Sequence, residues 1–67
     1  MLVGKTERRA KAICAMINRG LKVLNIEAIL VIDPYQSTIS VRHTYANQAC
    51  IDISKPEYTF PISMLDI

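Results

Sequence analysis

Only one stretch of this chain keeps a helical spacing of apolar residues, and everything after it alternates in twos. On a wheel of about 100° per residue, Ala10, Ile13, Cys14, Ile17, Leu21 and Leu24 fall on one stripe, the mark of an amphipathic helix. The spacing predicts a helix from Lys5 to Arg19 or Gly20. Thr6 is its expected N-cap, Glu7 and Lys11 a favourable i,i+4 pair, and Gly20 a left-handed C-cap. A single helix must bury its apolar stripe on something, and the remaining sequence offers only sheet.

Leu21 to Ile32 is rich in β-branched residues, and Asp33-Pro34-Tyr35-Gln36 reads as a turn with proline at its second position. Thr38 to His43 alternates, Ile39 and Val41 facing one way and Thr38, Ser40 and Arg42 the other. These two runs read as a β-hairpin. After a loop at Tyr45 to Gln48, Ala49, Ile51 and Ile53 alternate with Cys50, Asp52 and Ser54 as a third strand. Beyond Lys55-Pro56-Glu57, Tyr58, Phe60, Ile62 and Met64 alternate as a fourth, which Pro61 confines to an edge because it lacks a ladder donor. The expected fold is α+β: one N-terminal amphipathic helix on a three- to four-stranded antiparallel sheet, in the order α-β-β-β, as a single small domain over residues 1–67.

In the first expected strand Ile26, Ala28, Leu30 and Ile32 would face the helix. Ile29 and Val31 would lie on the opposite face, where a solvated sheet normally carries polar groups. One helix leaves one sheet face without a cover. Either the C-terminal residues Phe60, Met64, Leu65 and Ile67 fold over it, or a second copy of the chain does. An apolar face on so small a domain marks an interface, so Ile29 and Val31 are the expected self-association or docking residues and the chain is expected to form a homodimer.

With 67 residues, of which 51% are hydrophobic, the chain is one small domain and not a disordered one. The unbroken apolar runs, Ala28 to Ile32 and the slightly longer Ala12 to Ile17, are far short of the ~20 residues a membrane helix needs. Cys14 and Cys50 match no zinc or redox spacing, and no signal-peptide pattern is present. A cytoplasmic protein without membrane partners is expected.

Charge is unevenly distributed. Residues 1–22 carry six basic side chains against one acid, a net of +5, and residues 23–67 two basic against five acidic, a net of −3. Arg8 and Arg9 also fall in or near the first helical turn, where the helix dipole disfavours cations. A sequence selected for stability alone would place acids there. Lys5, Arg8, Lys11, Arg19 and Lys22 are therefore the expected contacts for an anionic partner.

Chemistry finds little support. His43 is the only histidine, and its conceivable companions (Cys50 or Ser40, with Asp33 or Asp52) form no catalytic motif. One histidine with scattered acids makes a poor metal site. The two glycines, Gly4 and Gly20, exclude a phosphate-cradling loop. Cys14 reads as a core residue, Cys50 as the more exposed thiol, and Tyr35 and Tyr45 as loop residues. No enzyme, cofactor, metal or small-molecule substrate is expected. The sequence reads best as a small protein-binding module that modulates or inhibits a larger protein, in the style of phage and mobile-element accessory products. The alternative is a nucleic-acid-binding module using the basic helix face. Against it stand the modest pI of 8.7, the lack of a second helix and the dispersed aromatic residues.

Overall fold

The structure, a computed structural model, describes residues 4–65, with side chains from Thr6 onward. Helix α1 spans Gly4–Val23. Strand β1 follows at Ala28–Asp33, β2 at Thr38–Tyr45, β3 at Cys50–Ile51 and β4 at Tyr58–Pro61, before a 3₁₀ turn over Ile62–Leu65. The protein is thus α+β, one helix followed by an antiparallel sheet. β2 is the central strand. β1 lies along one edge, from Ala28 opposite His43 to Asp33 opposite Thr38. β4 occupies the other edge, from Thr38 opposite Pro61 to Val41 opposite Tyr58, and β3 continues that edge with Thr44 opposite Ile51.

Alternation decides which face the helix covers. Ile39, Leu30, Ile32 and Phe60 share one face, and there they meet Ala10 and Cys14 of α1 and Ile62 of the 3₁₀ turn. Ala10, Cys14, Ile39 and Ile62 form the buried core, with Leu30, Ile32, Phe60 and Leu65 packed around it. The C-terminal residues Phe60 and Leu65 therefore close the helix side of the sheet, and the expectation that they cover the outer face is corrected. Met64 is exposed, and Ile67 lies outside the described residues.

A polar clamp fixes the helix to the sheet. β1 is an edge strand, so the N–H and C=O of Leu30 point away from β2. The Asn18 carboxamide meets both, its Oδ1 accepting from Leu30 N–H at 2.8 Å and its Nδ2 donating to Leu30 C=O at 3.0 Å. The Gln48 side chain adds two donations, to Asn18 C=O at 3.2 Å and to Ala28 C=O at 3.1 Å. An open strand edge invites pairing with other chains, and covering it with a helix is one remedy.

Several boundaries differ from expectation, each for a local reason. The helix passes through Gly20 and ends at Val23. The stop is Asn25, held in the left-handed region at φ 61°, with Ile26 N–H donating to Leu21 C=O and Asn25 N–H to Lys22 C=O. That pair of bonds is a Schellman cap, and asparagine tolerates the left-handed backbone it requires. Thr6 is not the N-cap, because Gly4 and Lys5 already have helical backbone. β1 begins only at Ala28, leaving Ile26 outside the strand, since the cap occupies the residues before it. β3 shrinks to two residues, and the expected strand residue Ile53 is almost fully exposed. There the Asp52 carboxylate turns back onto Ser54, and the Arg42 side chain donates to the carbonyls of Asp52 and Ser54, so these carbonyls bond to a side chain in place of a ladder partner. β4 ends at Pro61, where the chain turns into the 3₁₀ segment.

The turns rely on left-handed residues in place of glycine. Asp33 Oδ1 accepts from the N–H groups of Tyr35 and Gln36 to set the β1–β2 turn, which Ser37 closes at φ 55°. Between β2 and β3, Ala46, Asn47 and Gln48 are left-handed in succession, at φ 52°, 55° and 73°. For residues with a Cβ each such conformation costs roughly 1–2 kcal/mol.

Ile17 lies on the sequence stripe but is 39% exposed, whereas Ile39 is completely buried. Ile39→Ala is accordingly expected to cost about 2–5 kcal/mol, and Ile17→Ala a small fraction of that, as read by chemical denaturation. Asn18→Ala leaves the Leu30 edge groups without their partner and should cost about 1–3 kcal/mol. In thermal unfolding that is a fall of roughly 4–8 °C for each kcal/mol.

Candidate interaction surfaces

The cationic surface is built by helix periodicity. At about 100° per residue, Arg8, Lys11, Arg19 and Lys22 occupy an arc of about 80°, and Arg8 and Arg19 stand about 16 Å apart along the axis. All four side chains are exposed, as is Arg9, which points to a different side of the helix. Lys11 pairs with Glu7 at 3.4 Å, an exposed i,i+4 contact of small energetic weight. Among the described residues Arg8, Arg9, Arg19 and Lys22 make no ion pair. The side chain of Lys5 lies outside the described residues.

The outer sheet face is less apolar than the sequence implied. Ile29 and Val31 do lie on it, opposite Arg42 and Ser40 in the β1–β2 register. Ser40 in turn contacts the Thr59 hydroxyl at 3.3 Å. Both apolar residues are half-buried, so this patch is narrow and bordered by polar side chains.

A second apolar surface, unnoticed in the sequence, runs along α1 beside the buried stripe. Met16, Ile17 and Val23 are exposed there, as is Leu24 just beyond the end of the helix. The heptad-like spacing of Ile13, Met16, Gly20 and Val23 was legible, but the neighbouring stripe through Ala10 and Cys14 absorbed the assignment to the core.

His43 sits between two carboxylates, its Nε2 4.0 Å from Glu27 and its Nδ1 3.9 Å from Glu57. Its ring meets Tyr45 edge-on at 4.6 Å. Of the acids considered as orienting groups, Asp33 is remote, and Asp52, whose N–H donates to His43 C=O at 2.9 Å, has its carboxylate turned to Ser54. Asp33 is at the far end of β1, opposite Thr38. Asp52 is engaged by the Ser54 hydroxyl and backbone N–H, bonds that hold its carboxyl below the usual carboxylate range. Among the described residues no nucleophile is hydrogen-bonded to the imidazole, and no three His, Cys, Asp or Glu side chains converge to hold a metal. The Thr44 hydroxyl is buried without a hydrogen-bond partner among them. No helix among them is long and apolar enough to cross a membrane.

No protein-family model, curated protein or solved structure matches the chain. Fold and surface together define a small α+β domain whose one helix is cationic along one side and apolar along another.

The two thiols differ in environment. Cys14 is buried and its pKa is pushed up by desolvation, while Cys50 is exposed. Because the thiolate is the reactive form, an alkylating reagent at neutral pH should label Cys50 first and reach Cys14 only on unfolding. Mass spectrometry of the labelled peptides at successive times reads the order. Equal labelling of both in the folded protein would contradict this placement of Cys14.

Proposed function

We propose that the protein is a non-catalytic protein-binding module of the cytoplasm that acts by docking on a larger, acidic protein, and that it self-associates. The observation that carries this is the distribution of its apolar side chains. Among the described residues eleven large hydrophobic side chains are exposed, while the buried core holds only four residues, one of them an alanine and one a cysteine. A monomer that met only water would gain by burying more of them. Nucleic-acid surfaces are polar and densely charged, whereas protein interfaces carry apolar cores with aromatic residues and methionine enriched.

The cationic arc of Arg8, Lys11, Arg19 and Lys22 supplies the preference for an acidic partner and speeds its encounter. Ile29 and Val31 offer a narrow additional docking patch. A nucleic-acid-binding module is the second reading, favoured by the lack of acid partners for Arg8, Arg19 and Lys22 among the described residues.

Affinity capture with the tagged chain from its own source lysate, with and without nuclease, separates the two. Expected is a discrete protein that survives nuclease treatment and is lost when Arg8→Glu and Arg19→Glu are combined. Capture that vanishes with nuclease, with a log–log salt slope near −0.9 per phosphate contact, would establish the second reading instead.

A further inference from the structure

Two apolar side chains inside α1 serve no purpose within the domain. Met16 is 68% exposed and Val23 79%. With the exposed Ala12 they fall within about 40° of one another on the helix, at about 100° per residue. Ala10 and Cys14, the helix's share of the core, lie at least about 120° round from Met16. The strip therefore faces outward.

Arginines border it. Arg9 lies seven residues before Met16 and about 20° from it, closing the N-terminal end. Arg19 and Arg8 run along one side, about 60° and 80° from Met16. All three are exposed, and none makes an ion pair among the described residues. An apolar centre with a charged rim is how protein interfaces are built, and methionine and arginine are among the residues enriched in them. A phosphate backbone would answer the rim alone and leave Met16 and Val23 facing nothing apolar. So would a stretch of carboxylates without apolar residues among them.

We propose that this strip receives an acidic, amphipathic segment of the partner protein. Its apolar side chains cover Met16 and Val23, and its carboxylates meet Arg8, Arg9 and Arg19. Charge complementarity selects the acids, and the strip that the arginines border selects the apolar residues between them. Met16 and Val23 stand about 10 Å apart along the axis, and Arg8 and Arg19 about 16 Å. A segment of about five extended residues, or about eleven helical ones, is long enough to span the site. The proposal rests on the acidic protein partner proposed above and names what that partner presents.

Calorimetric titration of the full chain with two synthetic peptides tests it. Both peptides carry the same number of glutamates; one intersperses leucine and phenylalanine, the other serine in their place. The first should bind at least about tenfold more tightly, the gain expected from burying a side chain the size of methionine. Met16→Gln and Val23→Gln should each remove part of that gain and leave the affinity for the serine peptide unchanged, while Arg19→Gln weakens both peptides. Val31→Gln, on the outer sheet face, should alter neither. Circular dichroism verifies that each variant keeps its fold. Equal affinity for the two peptides overturns the proposal, as does a gain undiminished in both Met16→Gln and Val23→Gln. So does an absence of binding by the leucine–phenylalanine peptide at about 1 mM. The acidic-partner reading fails by a different result, capture lost to nuclease. Serine-peptide binding that Arg19→Gln weakens, without any gain from leucine and phenylalanine, would leave that reading standing and remove the apolar strip from it.

Discussion

The carboxamide of Asn18 is the point on which the two layers of this domain are joined. It imitates a neighbouring strand, taking both the N–H and the C=O that Leu30 would otherwise present to solvent. A helix that merely rested its apolar stripe on four strands could slide or rotate, because hydrophobic contact has no direction. The paired hydrogen bond fixes both its height and its rotation. It is what turns Ala10 and Cys14 toward Ile39, and with them sends Met16, Gly20 and Val23 outward and Arg8 and Arg19 to the side. Gln48 bonds to the same node from the β2–β3 turn, so helix, edge strand and turn share one polar junction.

Around that junction the hydrophobic core is thin. Ala10 and Cys14 are small, and Ile39 and Ile62 are the larger of its four buried residues. At the same time the β2–β3 turn holds three consecutive left-handed residues, none of them glycine. A small domain with little interior and a strained turn has a narrow margin of stability. Binding a second chain is a general way for such a domain to widen it, because anything that binds only the folded state stabilises it. Covering the apolar side of α1 would on that ground add to the stability of the fold.

The sequence carried the architecture well and the details unevenly. One helical period followed by alternation was enough to read an α-β-β-β order, and the faces of Leu30, Ile32 and Ile39 followed from parity. Glycine misled at the helix end. Gly20 is the commoner stop signal, yet Asn25 made the left-handed cap, and only the pairing of Leu21 with Ile26 distinguishes the two. Asn18 could not be recognised as a clamp, since its partner is a backbone edge that exists only after the sheet has formed. Ile17 and Ile53 were placed inside by periodicity, but parity gives a face and not how far cover extends over it. The cationic arc was legible because it depends on helix geometry alone. The apolar arc beside it was not, because two adjacent stripes blur into one on a wheel.

The Gln48 tether also has a temporal side. It joins positions 30 residues apart to Asn18 and 20 apart to Ala28, whereas the β1–β2 hairpin closes over a short turn. Local structure forms before distant contacts repay the entropy of closing a long loop. The hairpin and helix should therefore assemble first, and Gln48 should lock after the rate-limiting step. A bond of that kind acts as a latch: removing it leaves the refolding rate nearly unchanged and accelerates unfolding. In the arms of a chevron plot Gln48 would then govern how long the native state lasts and have little influence on how quickly it is reached.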